Sequence, residues 1–431
     1  MSTQGPGLVR GIRRWDLFLM MINGTIGAGI FGLPAKVYAL IGPWTLPALA
    51  LCGLVVALVL VCFAEVASRY ERTGGPYLYA RSAFGALVGF ETGWLLWLVR
   101  LTSYAALCNL LVSYLAVLWP AAGGAAMRVA VIVAVTALLT AINLIGVRRA
   151  AVTGNAMTIA KLVPLALVIV AGLVAILPER MALGPAPAPG ALAKASLLLI
   201  FAFAGFELVI IPAGETDNPR AHLPWALLSG LGAVAIVYAL IMAVCVGTVE
   251  GLATSERPLA DAATRGLGPW GGTLVAIGAV VSITGTLGTI LLAAPRLTFA
   301  MAECGELPRG LAAIHPRFRT PWRAILVTAG AMLVLTLWST FLSAVTIGTI
   351  IRLVTYVLTC VAMIVLRRRA DAPAATFRAP GGVVTAGLAL IACAWLLTSI
   401  SAREATIAGI AALLGLGLYA ARRTAIAGRP A

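Results

Sequence analysis

Apolar runs of about 20 residues, each long enough to cross a hydrocarbon core of about 30 Å, succeed one another along nearly all of this 431-residue chain. Twelve can be drawn, at roughly 16–41, 44–67, 84–119, 127–146, 156–177, 193–214, 224–249, 270–300, 322–341, 343–366, 383–400 and 404–421. In lipid every backbone amide must be satisfied within the chain. The expectation is therefore an all-α polytopic membrane protein with twelve transmembrane helices. With 61% hydrophobic and 11% charged residues, the composition lies well outside the range of soluble domains.

The formal charge of +16 is distributed by loop. Arg10, Arg13 and Arg14, then Arg69, Arg72 and Arg81, Arg148 and Arg149, Arg220, the stretch from Arg296 to Arg323, Arg367 to Arg369 and Arg378 all fall in alternate loops. The intervening loops hold only Arg128, Arg180, Lys194, Arg257, Arg265 and Arg403. By the positive-inside rule both termini are expected in the cytoplasm. The basicity thus follows from topology, and no nucleic-acid partner is implied. The first run is too long for a signal-peptide core and should remain as a membrane helix. Arginine far outnumbers lysine and alanine is abundant, as in GC-rich bacterial genomes, which suggests a bacterial inner membrane. The seven cysteines and two histidines do not cluster, so neither a metal site nor a cofactor is expected.

The first run, Leu17 to Leu40, reads LFLMMINGTIGAGIFGLPAKVYAL and is interrupted by Gly24, Gly27, Gly29 and Gly32. One reading of these glycines is close helix packing. The other is a break at mid-depth, tolerated only where protein or a polar cavity receives the freed backbone groups. Residues 193–214, AKASLLLIFAFAGFELVIIPAG, carry a second such point at Ala204 and Gly205, followed by Glu207. This run crosses in the opposite direction. Two broken helices of opposite direction, each heading five spans, are what a five-plus-five inverted repeat would give. The chain is accordingly read as one transporter domain, 1–431, with one repeat at about 15–180, a second at about 193–370, and two additional helices at about 383–421. The loops at 250–269 and 301–321 could hold short surface helices.

Four ionisable residues within apolar runs stand out. An intramembrane charge is costly enough to suggest function by default. Lys161 sits in GNAMTIAKLVPLAL, either at a site or snorkelling toward the cytoplasmic end. Glu207 follows the second break, as a proton carrier or as a partner for an arginine. Desolvation disfavours the charged form of either group and so makes proton exchange near neutral pH feasible. Arg100 and Arg352 fall near mid-membrane, and a buried guanidinium needs a partner. The candidates are Glu207, a substrate carboxylate or an acidic substrate side chain.

Four stretches in order, GTIGAGIFGLP, AEVASRYERTGGPYLYARSAFG, FAFAGFELVIIPAGETDNPRAHLPWAL and APRLTFAMAECGELPRGLAAIHPRFRTPWRA, resemble the amino acid, polyamine and organocation (APC) transporter superfamily over nearly the whole chain. The resemblance implies an amino-acid permease working by proton symport or by exchange. It implies that amides around Ile26, Gly27, Ala28 and Gly29 receive the substrate carboxylate, consistent with unpartnered amides at a helix N-terminus favouring an anion. The α-ammonium would meet carbonyls near Thr25, Phe201 and Ala204. Phe201 would close over the substrate, with Phe203 also flanking the break; either ring could instead be ordinary packing. Lys161 would occupy the place of a sodium ion in other members of the fold, and a glutamate at the position of Glu207 takes part in proton-linked exchange in some. Arg100 would lie on the wall receiving the substrate side chain, with Tyr104 one turn further. Glu65, Glu91 and Glu215 are read as structural, and Trp44, Trp94 and Trp97 as packing or interface anchors.

No clustered nucleophile, paired carboxylates or repeated filter sequence argues for an enzyme or a channel. The expected function is amino-acid transport by alternating access, with proton symport favoured and exchange, or a nontransporting sensor on the same fold, as alternatives. The expected partners are an amino acid, protons and the lipid bilayer.

Overall fold

The computed structural model describes residues 8–27, 29–338, 341–398, 400 and 402–427. These residues form sixteen α-helices and no strand: α1 (Arg14–Thr25), α2 (Gly29–Ile41), α3 (Thr45–Ala67), α4 (Pro76–Phe84), α5 (Ala86–Leu118), α6 (Ala125–Leu144), α7 (Val147–Val174), α8 (Pro189–Phe203), α9 (Glu207–Ile210), α10 (Pro219–Thr248), α11 (Pro258–Leu267), α12 (Gly271–Glu303), α13 (Trp322–Trp338), α14 (Phe341–Arg368), α15 (Val383–Leu397) and α16 (Ala402–Ala427).

Eight helical segments among the described residues are long and apolar enough to cross a membrane, and three shorter apolar helices accompany them. The chain is therefore an all-helical, polytopic membrane protein. Proline opens α4, α8, α10 and α11, where its missing amide proton removes no intrahelical bond. Outward faces carry large apolar residues in the open, among them Leu138, Val170, Ile236 and Ile391, as contact with lipid requires. The segment Pro189–Ile210 and α12 are the most enclosed of the spans and α6 the least.

Two elements differ from the pattern of apolar runs. Helix α7 starts nine residues earlier than its run, directly after Gly146 at φ +141°, and Arg148 in its first turn pairs with Asp16 of α1. In the segment 250–269, α11 is more than a surface helix: Leu259, Ala262 and Ala263 are buried.

One end of the bundle is tied together by ion pairs. Glu65 binds Arg367 and Arg69 and accepts the Ala379 amide at 2.7 Å. Glu215 pairs with Arg296, which also donates to Asn143 at 3.0 Å, all three residues being buried. Glu306 accepts from Arg81 and Tyr77, each at 2.7 Å. Ile12 adds a short ladder with Glu215 and Asp217. The other end, which includes the 42–44 loop held to Gly184 through Trp44, has an exposed pairing of Glu250 with Arg180 and Arg265.

Candidate functional site

Helix α1 stops at Thr25 and α2 starts at Gly29. Within this gap the Ile26 amide donates to Ile22 O at 2.8 Å and the Gly27 amide to Thr25 O at 2.9 Å. Both of those expected anion donors are thus engaged internally in this conformation. The amides that helix geometry leaves over are those of the first turn of α2, starting at Gly29. Ala28, the remaining member of the expected set, lies outside the described residues.

The carbonyls at the end of α1 carry the negative end of its dipole and favour a cation. Lys161 of α7 supplies one: its Nζ donates to Ile26 O at 2.7 Å and to Asn23 O at 3.2 Å. Thr286 and Ser282, one turn apart on α12, donate to the same two carbonyls at 3.0 and 3.2 Å. Lys161 is fully buried, and no ion pair among the described residues includes it. Asn23 is fixed in turn through its Nδ2, which donates to Gly285 O and Thr289 Oγ1, both at 2.9 Å.

The second gap runs from the end of α8 at Phe203 to Glu207, the first residue of α9. Gly205 has φ +116°, a conformation that favours glycine, and a Cβ there would lie 2.2 Å from Gly24 O. The two gaps therefore meet backbone to backbone. Tyr238 of α10 bridges the same place, its hydroxyl lying 2.8 Å from Thr25 O and 2.9 Å from Ala202 O.

Glu207 Oε2 accepts the Gly205 amide at 2.9 Å, while Oε1 accepts from Arg100 at 2.8 Å and lies 3.3 Å from Arg352 Nε. Arg352 also donates to Ser103 Oγ at 3.1 Å and sits 5.5 Å from the centre of the Phe201 ring. Of the three partners considered for the guanidinium groups, the carboxylate of Glu207 is the one this conformation presents.

A cavity of about 290 Å³ opens from the gaps. Thr25, Gly27, Gly29, Phe201, Ala204 and Arg100 line it, joined by Ser103, Arg352, Thr286 and, at its exposed extremity, Lys36 of α2. Ile26, Phe203, Tyr104, Lys161 and Glu207 stand behind this lining. Phe203 packs its ring 5.3 Å from Tyr238, since two residues along a helix face nearly opposite ways. Tyr104 donates to Thr136 of α6 at 3.0 Å; Ser103, its neighbour, takes the cavity side. Among the carboxylates read as structural, Glu65 and Glu215 have their ion pairs, whereas Glu91 has, among the described residues, no hydrogen-bond partner for either oxygen. Trp94 and Trp97 donate to Ala411 O at 3.0 Å and to Thr328 at 3.4 Å.

Tyr238, Ser282, Thr286 and Ser103 were not singled out by the sequence. Their one available signal was a hydroxyl within an apolar run, and Ser282 and Thr286 add a spacing of four on one helix face.

Two interrupted helices meeting beside a partly polar cavity inside an apolar bundle describe a membrane carrier. A family model described as amino acid permease matches residues 12–414, and the chain belongs to that family, within the amino acid, polyamine and organocation superfamily. It is 35% identical to an uncharacterized transporter of Mycobacterium tuberculosis over 74% of this chain and 71% of the relative. It is 30% identical to the serine/threonine exchanger SteT of Bacillus subtilis over 96% and 97%. The methylthioribose transporter of the same species is 28% identical over 93% of this chain and 90% of its own length. Amino-acid permeases are membrane transporters, and a multi-pass membrane location follows.

Proposed function

We propose that this protein is a secondary active transporter that carries amino acids across a bacterial inner membrane by alternating access, with the substrate bound where the two gaps meet. The observation that carries this reading is the polarity of the first gap: carbonyls at the end of α1 on one side, the N-terminus of α2 on the other, both beside one cavity. An amino-acid zwitterion matches such a site, its carboxylate toward the first turn of α2 and its ammonium toward carbonyls near Thr25, Phe201 and Ala204. Phe201, beside the site, is the ring placed to close over it.

In this reading the α1–α2 and α8–α9 segments are the first and sixth of twelve transmembrane helices. They head inverted repeats at about 15–180 and 193–370, with α15 and α16 outside the repeat and both termini cytoplasmic. The ion-paired end is then the cytoplasmic one, closed, and the cavity faces outward through Lys36.

Proton symport is the preferred coupling. Lys161, held by carbonyls and flanked by two hydroxyls without a carboxylate, is suited to give up and regain a proton as the first gap rearranges. The resemblance to a serine/threonine exchanger over nearly the whole chain supports a second reading, exchange. Uptake of labelled amino acids into empty proteoliposomes under an inward proton gradient separates the two. Symport requires accumulation without internal substrate and its loss in Lys161→Ala with binding retained. A requirement for internal amino acid, with indifference to the gradient, establishes exchange instead.

A further inference from the structure

Every titratable residue lining the central cavity, among those described, is cationic: Lys36 at its extremity, Arg100 and Arg352 at depth. The nearby carboxylate, Glu207, lies behind that lining and is shared between the two guanidinium groups. Sharing leaves one positive charge over. Arg100 and Arg352 are 1% and 7% exposed; among the described residues the Nε of Arg100 has no hydrogen-bond acceptor, and the Nε of Arg352 has only the long 3.3 Å contact to Glu207 Oε1. An uncompensated buried charge is strongly unfavourable, and here it borders an open volume. The charge is therefore kept where an incoming group can neutralise it. Lys36 lies on the way in, so that an anion is attracted along the whole path.

Resting on the carrier reading above, we infer that the preferred substrate is an acidic amino acid, whose second carboxylate is received by Arg100 and Arg352 while its zwitterionic head sits at the gaps. The two binding regions divide the work. The first turn of α2 and the carbonyls of α1 and α8 recognise what all amino acids share, and the arginine pair recognises a side-chain anion. Arg352 is the more adaptable partner: its contact to Glu207 is the longer one, and its other contacts are the Ser103 hydroxyl and the Phe201 ring. Phe201 thereby links side-chain recognition to closure, since the ring beside the substrate also packs against the guanidinium.

The test compares charged and neutral isosteres in proteoliposomes of the full chain, with L-glutamate against L-glutamine and L-aspartate against L-asparagine as competitors and as labelled substrates. The acids should be preferred by about tenfold or more, because replacing a carboxylate by an amide leaves the desolvated guanidinium uncompensated. Aspartate against glutamate reads the distance from head to arginine pair. Arg352→Gln should erase the preference between acid and amide, and Arg352→Lys should retain most of it. If Arg352→Gln fails to assemble, the wild-type acid-to-amide ratio still decides. Transport of neutral amino acids with the acids inert overturns this inference and leaves the carrier reading intact. Equal use of succinate and aspartate overturns it as well, since the head would then go unread. Failure of every amino acid to bind or accumulate removes both readings.

Discussion

At the first gap an ammonium meets carbonyl oxygens and hydroxyls; at the second a carboxylate is shared by two guanidinium groups. Both arrangements solve the same problem, backbone released where a helix is interrupted, and they solve it with opposite sign. Lys161 is attracted by the dipole end of α1 and can lose its proton without stranding a partner charge. Glu207 cannot be neutralised so freely, because Arg100 and Arg352 would then face each other unscreened. In the proposed reading the first gap is suited to a change of charge state, and the second to a fixed charge distribution that a substrate completes.

The largest effect that should sharpen this contrast is loss of the shared carboxylate. Glu207→Gln leaves two buried cations without an anion and should destabilise the protein by about 3–5 kcal/mol, read as a fall in thermal unfolding temperature of the purified protein in detergent. Lys161→Met removes a charge that has no ionic partner and should change stability by roughly 1 kcal/mol or less, since two hydrogen bonds are lost while the desolvation of an ammonium is relieved. Equal losses for the two variants would break the comparison.

The next effect concerns the contact that joins the gaps. Gly205→Ala adds a Cβ to a residue at φ +116°, aimed at Gly24 O from 2.2 Å. Backbone strain and overpacking together should cost roughly 3 kcal/mol, and both gaps must shift to relieve it. The expected result is lower unfolding temperature together with weakened substrate binding. A variant with wild-type stability would mean that the two gaps are mechanically independent.

Much of this architecture was legible because lipid imposes a strict rule on backbone. Long apolar runs became helices, and the two glycine-marked points, 24–29 and 204–205, became the places where helices end. Their places within apolar runs also made Lys161, Glu207, Arg100 and Arg352 conspicuous, and the need of each charge for an opposite one put Glu207 among three candidate partners for the arginines, the one the structure presents. What remained hidden depended on rotation about helix axes. Ser103 rather than Tyr104 reaches the cavity, and Phe201 rather than Phe203, though both alternatives fit the same apolar run. Helix α4 was hidden for another reason: nine residues containing Arg81 form no apolar run, and its start is set by Gly74 and Gly75, both at positive φ. The amides of Ile26 and Gly27 were visible as part of a break, but their internal acceptors, Ile22 O and Thr25 O, depend on how the chain turns there.

A small effect is also expected at Tyr238, whose one sequence signal was a hydroxyl within an apolar run. Its partners are two carbonyls, 213 and 36 residues away, one from each gap, so its hydroxyl ties together the ends of α1 and α8. Its single proton can serve one carbonyl fully at a time. Tyr238→Phe keeps the ring and its packing on Phe203 and removes this tie. The expected cost is about 1 kcal/mol, a shift of a few degrees at most. The transport consequence is more informative than the stability one. If the gaps move together during alternating access, loosening this tie should alter the rate of uptake more than substrate affinity. If affinity falls and the maximal rate is unchanged, the hydroxyl merely shapes the site, and the coupling between the gaps rests on contacts such as that of Gly24 with Gly205.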